Sequence, residues 1–280
     1  VKPPFTYFGG KTRIADRIAA LLPEHDHYVE PFAGSLAVLL AKPRSAMETV
    51  NDLDRSVMNF WRLLRDRTDD LIRVCALTPH SRAEHQAAYE PCDDELETAR
   101  RLWVRLTQAQ SSQPFRGTGW RYYQDPKGSN SSMPDYLAAY VARLGPAAER
   151  IAGVSLECLP ASDMIARYGK HRDCLIYADP PYLESARRSA GRGPSYGHEL
   201  RTEDEHRELA ESLGSAAAAV VLSGYASPLY AELYAGWHSV ELPGYTGNAA
   251  TGAAARTEVL WSNRPFPAAQ SRLFEVGEAS

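Results

Sequence analysis

Tyr28-Val29-Glu30-Pro31-Phe32-Ala33-Gly34-Ser35, running on into Leu36-Ala37-Val38-Leu39-Leu40-Ala41, reads as a strand, a tight turn and an apolar helix. That order opens a βαβ unit, the building block of nucleotide-binding sheets. A second short segment, 46–50, leads into Asn51-Asp52-Leu53-Asp54, which places Asp52 18 residues after Gly34. An acid at the end of the second strand, about 20 residues beyond the glycine turn, suits ribose hydroxyls. The glycines do not form G-x-G-x-x-G, so a nucleoside without phosphates fits better than a pyrophosphate. Capping of the following helix by Asp52 is the other reading that the spacing allows.

Upstream, Phe5-Thr6-Tyr7-Phe8-Gly9-Gly10-Lys11-Thr12 is a glycine turn, followed by helical spacing from Arg13 to Leu22 and a stop at Pro23. It lacks the spacing of a phosphate-binding P-loop. Downstream, a helix over 55–64 precedes a long interruption of the βαβ rhythm. Alternation resumes with a strand at 154–159 and a helix starting near Asp163. The apolar run Cys174-Leu175-Ile176-Tyr177-Ala178 then ends at Asp179-Pro180-Pro181-Tyr182. Two adjacent prolines donate no backbone hydrogen bond and stop the strand. They let the Asp179 carboxylate and the Pro180 carbonyl point together, with the Tyr182 ring face free beside them. Two acceptors and a stacking platform suit an amino group on a flat heterocycle, although a bare tetrapeptide of this kind can equally be a plain proline turn. Glu184 to Leu200, with Arg187 and Arg188, reads as a polar loop over a site. Thr202 to Leu213 is a helix with a capping box completed by Glu205, and strands at 217–223, 237–242 and 256–262 close the alternation.

The chain has 280 residues, 44% hydrophobic and 24% charged, with a net charge of −4. Those values describe an ordinary globular protein of one large domain, or one domain carrying an inserted smaller one. No apolar run approaches the roughly 20 residues that span a bilayer, and no secretory leader pattern stands at Val1. The four cysteines show neither zinc spacing nor a disulfide framework, so a reducing cytoplasm and no metal are expected. Charge is uneven: Arg100 to Asn130 holds five arginines and one lysine against the single acid Asp125. Within that stretch Phe115-Arg116-Gly117-Thr118-Gly119-Trp120-Arg121-Tyr122-Tyr123 interleaves basic and aromatic side chains. Such a pattern suits phosphate contact and base stacking or wedging, against the general rule that charge runs are solvated surface.

Three stretches in order, Phe8-Gly9-Gly10-Lys11, Val29 to Ser35 and Asp179 to Tyr182, resemble the Dam-like, alpha-group DNA adenine-N6 methyltransferases that use S-adenosylmethionine. Asn51 to Asp54, Asp163 and Glu258-Val259-Leu260-Trp261-Ser262-Asn263 are similar to further parts of that pattern. The resemblance implies a Rossmann-like class I methyltransferase sheet with helices on both faces, interrupted by a helical and loop target-recognition insert. The catalytic domain would comprise 1–65 and 150–280, and the insert 66–149. It implies that Glu30, Phe32 and Gly34 line the methionine and ribose part of the cofactor pocket. Asp52 would hold the ribose and Asp163 the cofactor's adenine. Tyr7, Gly9, Gly10 and Lys11 would close over the methionine end, Lys11 pairing with its carboxylate. Asp179, Pro180 and Tyr182 would be catalytic, clamping a flipped-out adenine of double-stranded DNA. Arg116, Trp120, Arg121, Tyr122, Arg187 and Arg188 would contact DNA. A monomer is the expected state, and a cognate restriction enzyme is compatible with the resemblance without being implied by it.

Two positions depart from the family's pattern. Ser35 stands where glycine is usual, which requires a negative φ there, and Met164 stands where phenylalanine is common. Three alternatives stay open on the residues: cytosine N4 as acceptor, a non-catalytic DNA-binding module on the same fold, and a dinucleotide oxidoreductase. Asp179 rather than serine leans toward adenine, and the missing glycine fingerprint counts against the oxidoreductase.

Overall fold

A computed structural model describes residues 1–111, 119–122, 132–182, 200, 202–242 and 257–267. Seven strands form one sheet in the order β3-β2-β1-β4-β5-β7-β6. They are β1 (His27–Glu30), β2 (Met47–Asn51), β3 (Ser155–Glu157), β4 (Cys174–Ala178), β5 (Ala219–Tyr225), β6 (His238–Leu242) and β7 (Glu258–Ser262). All neighbours run parallel except β7, which is antiparallel to both β5 and β6. The expected α/β sheet is therefore present, and its central strand β4 is buried at all five positions. Burial on both faces explains why β4 reads as an unbroken apolar run and not as an alternation.

Helices α1 (Ala15–Leu21), α2 (Ala37–Ala41) and α3 (Arg55–Asp66) follow the glycine turn, β1 and β2 in turn. The interruption of the rhythm contains α4 (Thr68–Ala76), α5 (Arg82–Ala87), α6 (Glu95–Gln108), α7 (Met133–Val141) and α8 (Leu144–Ile151). These helices do not have a core of their own. Leu102, Trp103, Leu137 and Leu144 join Phe5, Tyr28, Phe60 and Trp61 in one continuous apolar cluster. The Trp103 indole N–H donates to the Pro4 carbonyl at 3.0 Å, and Thr6 Oγ1 donates to Leu106 O at 2.8 Å, so the N-terminal segment is clasped between the two regions. Beyond the insert come α9 (Ala161–Tyr168), α10 (Glu203–Gly214) and α11 (Pro228–Leu233). The capping box of α10 forms as expected, Thr202 and Glu205 each bonding the other's backbone.

The chain leaves β1 toward β2 on one side, and β4 then lies on the other side of β1. In open parallel sheets such a reversal leaves a crevice outside the strands' carboxyl ends. Asn51 closes the floor of this crevice. Fully buried, it donates Nδ2–H to Pro31 O (2.9 Å) and Leu159 O (3.0 Å), and its Oδ1 accepts from Leu159 N (2.7 Å). One amide side chain therefore joins the turn after β1, the end of β2 and the segment entering α9. Replacing Asn51 by alanine would strand those backbone groups, at about 1–3 kcal/mol for each buried group left unpaired. A lower urea midpoint for Asn51→Ala than for the unaltered protein is expected; an unchanged midpoint would show that the clasp contributes nothing.

Candidate functional site

A cavity of about 530 Å³ occupies that crevice, within the range of pockets that enclose a small ligand. Four segments bound it: the glycine turn 7–11, the turn after β1, the Asn51–Asp54 corner, and Asp179 to Tyr182. Pro160, Ala161 and Ser162 at the start of α9, and Glu205, Glu208 and Ser212 on α10, complete the wall.

The turn after β1 is shaped by backbone geometry. Gly34 has φ +43°, and a Cβ there would lie 3.1 Å from the Tyr7 ring. A larger residue would meet both the left-handed backbone and the aromatic ring, so glycine is required. Ser35 has no positive φ, and the condition for serine at that position is met. The strain sits one residue later, at Leu36 with φ +52°. The price of a left-handed leucine, about 1–2 kcal/mol, is offset by its complete burial and by the bond from its N–H to Ala33 O at 2.7 Å.

Asp52 anchors this turn. Its Oδ2 accepts from Gly34 N and its Oδ1 from Asp54 N, each at 2.9 Å. It does not cap α3: Asp54 does, accepting from Ser56 N. Burial pushes the Asp52 carboxyl up to about 6, partly countered by those two N–H groups. Glu30 is pushed further, to about 8, chiefly by burial and despite the bond donated by Tyr28 OH at 2.9 Å. Phe32 and Gly34 line the cavity with it. Asp163, in the first turn of α9, is exposed and lies outside the residues that line the cavity; Pro160 is the N-cap.

Lys11 is where expectation and structure part. It is buried, and its ammonium donates to Gly9 O (3.0 Å), to Asp179 Oδ1 (2.7 Å) and to Tyr182 OH. Its three protons are spent within the protein, so the anticipated pairing with a cofactor carboxylate is replaced by pairing with Asp179. Burial alone would lower its pKa, but Asp179 and then Glu258 more than offset this and hold it firmly cationic. Asp179 Oδ1 also accepts from Ser223 Oγ at 2.9 Å, which in turn lies 3.1 Å from Tyr177 OH. Among the described residues no donor reaches Oδ2, and Asp179 faces the cavity. Tyr182 is less open than its sequence suggests, only 7% exposed, with its ring centroid 4.4 Å from that of Tyr225. Its hydroxyl donates to Glu258 at 3.1 Å. Asn51, Tyr177, Ser223 and Glu258 had no site role on sequence grounds. The last three lie on strands whose burial hides which side chain faces the crevice.

Of the anticipated DNA-contacting residues, Arg116, Arg187 and Arg188 lie outside the described residues. Trp120 forms an isolated antiparallel bridge with Ala109 and stacks on His80, with centroids 4.2 Å apart at 18°. Tyr122 continues the stack at 5.7 Å and is 45% exposed. Arg121 holds the base of this bridge, donating to Ala109 O (3.1 Å), Gln110 O (3.4 Å) and Tyr136 OH (2.5 Å).

Glu30, Asp52 and Glu258 share one consequence. Each holds its proton more tightly folded than unfolded, with pKa values raised to about 8, 6 and 7. A raised carboxyl favours the folded state while it is protonated, and that benefit is lost as pH rises. The ligand-free protein is therefore expected to melt at lower temperature at pH 8.5 than at pH 5.5, with a smaller drop in Glu30→Gln. His25, His27 and His85, lowered by burial, act in the opposite sense, so the deciding comparison is between proteins: an identical change in melting temperature for Glu30→Gln and the unaltered protein would contradict the raised Glu30 carboxyl. Gly34→Ala is expected to weaken binding in the cavity at least tenfold by displacing Tyr7, as read by calorimetry.

A family model described as D12 class N6 adenine-specific DNA methyltransferase matches residues 7–101. Type II methyltransferase M1.LlaDCHI of Lactococcus lactis subsp. cremoris is 26% identical, over 93% of this chain and 95% of its own length. The DNA adenine methylase of Salmonella typhi is 24% identical over 81% of each chain. Among solved structures, precorrin 8W decarboxylase of Methanobacterium thermoautotrophicum is 10% identical over 95% of this chain and 100% of that one. Its TM-score is 0.40, too slight a likeness to bear on the fold. Among the described residues no helix is long and apolar enough to cross a membrane, and no cluster of side chains could hold a metal ion. Motif order, the seven-stranded sheet and the match over 7–101 agree: over that stretch the chain is similar to the D12 class N6 adenine-specific DNA methyltransferases.

Proposed function

We propose that the protein methylates the exocyclic N6 of adenine in double-stranded DNA with S-adenosylmethionine as donor, and that Asp179 is the residue on which the amino group is held. The observation that carries this reading is the half-satisfied carboxylate of Asp179, Oδ1 fixed by Lys11 and Ser223 and Oδ2 left toward the cavity.

The wall of the cavity supports the choice of donor. Among its described residues stand six acids, Glu30, Asp52, Asp54, Asp179, Glu205 and Glu208, against the single cation Lys11, which is already paired. A pyrophosphate would be repelled there, which argues against a dinucleotide oxidoreductase. A nucleoside whose far end carries a sulfonium and an ammonium complements the charge. Asp52 is held by backbone N–H groups at the end of β2, where ribose hydroxyls would reach its remaining lone pairs. When bound, S-adenosylmethionine supplies an electrophilic methyl group on sulfur.

The remaining chemistry falls to the protein's own side chains. The lone pair of the adenine amino nitrogen is delocalised into the ring, which makes it a poor nucleophile. Hydrogen bonds from that amino group to Asp179 Oδ2 and the Pro180 carbonyl favour a pyramidal nitrogen with its lone pair directed outward. The Asp179 carboxylate then stabilises positive charge as it develops on the nitrogen. Lys11 and Ser223 keep that carboxylate from rotating, so positioning is prepaid in folding. The adenine must leave the duplex to reach this point, at a cost of a few kcal/mol. The Trp120–Tyr122 stack, ending on an exposed ring, is the surface best suited to contact DNA among the described residues.

Labelled S-adenosylmethionine with plasmid DNA, followed by nucleoside analysis, tests this directly. N6-methyladenine is expected from the unaltered protein, and N4-methylcytosine in its place would move the acceptor. Asp179→Ala should lose at least about 10³-fold in rate, the scale seen when an electrostatic group is removed from an active site, while cofactor affinity changes little. Retained turnover in that variant would remove Asp179 from the mechanism.

A further inference from the structure

Glu258 belongs to the first residues of β7, the antiparallel strand whose pairing sets Glu258 beside Tyr225 of β5 and Leu242 of β6. It is 5% exposed, and its Oε1 lies 3.5 Å from the Lys11 ammonium and 3.1 Å from Tyr182 OH. A buried carboxylate with these two neighbours is more than a stabilising contact. Buried acids are costly unless paired, and the lysine that would pair with Glu258 already serves Asp179.

We infer that Glu258 is a positioning residue for methyl transfer: acting through Tyr182 and Lys11, it governs how much of the Lys11 charge is felt by Asp179. The inference rests on the proposed role of Asp179 in holding the adenine amino group. When Glu258 is neutral, Lys11 offsets one carboxylate, and Asp179 presents little net charge to the nitrogen. Once Glu258 is ionised, Lys11 is shared between two carboxylates, and Asp179 retains more negative charge where the amino group becomes cationic. Tyr182 is the mechanical link. Its hydroxyl accepts from Lys11 and donates to Glu258, which fixes the ring packed against Tyr225.

Among the described residues, the groups facing Glu258 are Lys11 from the glycine turn, Asp179 and Tyr182 beyond β4, Tyr225 on β5 and Tyr230 on α11. Burial, the largest influence, raises the Glu258 carboxyl to about 7; Lys11 opposes this and Asp179 adds to it. Ionisation of Glu258 therefore falls within an ordinary assay window.

The test is single-turnover methyl transfer with cofactor and DNA both saturating, so that titration of Glu30 and Asp52 through cofactor binding does not enter. For a required base titrating near 7, the wild-type rate should fall about tenfold from pH 8 to pH 6. Glu258→Gln keeps the shape and an acceptor for Tyr182 OH but cannot ionise. Its profile should be flat, at least tenfold below wild type at pH 8, with cofactor affinity within about twofold. A variant matching wild type in rate and profile would overturn the role of Glu258 alone, since the unaltered enzyme would still be transferring methyl groups. A wild-type rate that is flat over this range would overturn it without reference to any variant's folding. Absence of transfer by the wild-type protein would overturn the proposed function and this inference together. Calorimetric cofactor binding and a melting curve for Glu258→Gln separate a lost charge from a lost fold.

Discussion

The Lys11 ammonium has three protons to give, and the site is built around where they go: a carbonyl of its own glycine turn, the Asp179 carboxylate and the Tyr182 hydroxyl. A buried cation without partners would be too costly to keep, so this arrangement ties together two stretches far apart in the sequence, the glycine turn and 179–182. It pins the N-terminal turn over the end of β4, fixes one oxygen of Asp179 and holds the Tyr182 hydroxyl. A salt bridge of this kind need not add net stability. Its value lies in allowing one geometry, as active-site positioning requires.

Around that pair the crevice is unusually acidic. Glu30, Asp52 and Glu258 are carboxyls that burial drives toward neutrality, and a sheet assembled for stability alone would place apolar side chains there. The cost is carried by the rest of the fold: a continuous apolar cluster from Phe5 to Leu260 takes in the helices of the insert as well as those on the sheet. A cationic ligand entering such a crevice favours the ionised form of these carboxyls over the neutral one. Their raised affinity for protons accounts for the expected link between protonation, stability and turnover.

Residues 66–149 combine shared packing with an exposed aromatic surface. The helices are part of the common core, while the Ala109–Trp120 bridge, with Ala109 buried and Trp120 stacked on His80, is held by Arg121 and leads to the exposed Tyr122. An arginine in a basic, aromatic stretch reads from sequence as a contact for a polyanion. Here three of its donors serve backbone and tyrosine oxygens instead, because the turn would otherwise leave those carbonyls unpaired.

The order of motifs along the chain was enough to determine the α/β sheet, the strand–turn–helix at Tyr28 to Ala41, the capped helix at 203–214 and the family resemblance. Each rests on local periodicity, turn chemistry or adjacent residues, and these are written linearly. Asp52 and Asp179 were legible for the same reason, being acids placed where a strand stops. What the sequence could not convey is which groups share a cavity. Glu258 reads as one residue within a closing strand over 256–262, and only the antiparallel insertion of β7 beside β5 carries it to Tyr182, 76 residues away in the chain. Asn51 likewise reads as a loop residue until Pro31 and Leu159 are seen on either side of it. Lys11 was identified, but its partner was not, since a lysine's reach names no acceptor until the fold chooses one. Pairing across a sheet and commitment of donors are settled by tertiary contacts between residues far apart in sequence, and periodicity along the chain carries no record of them.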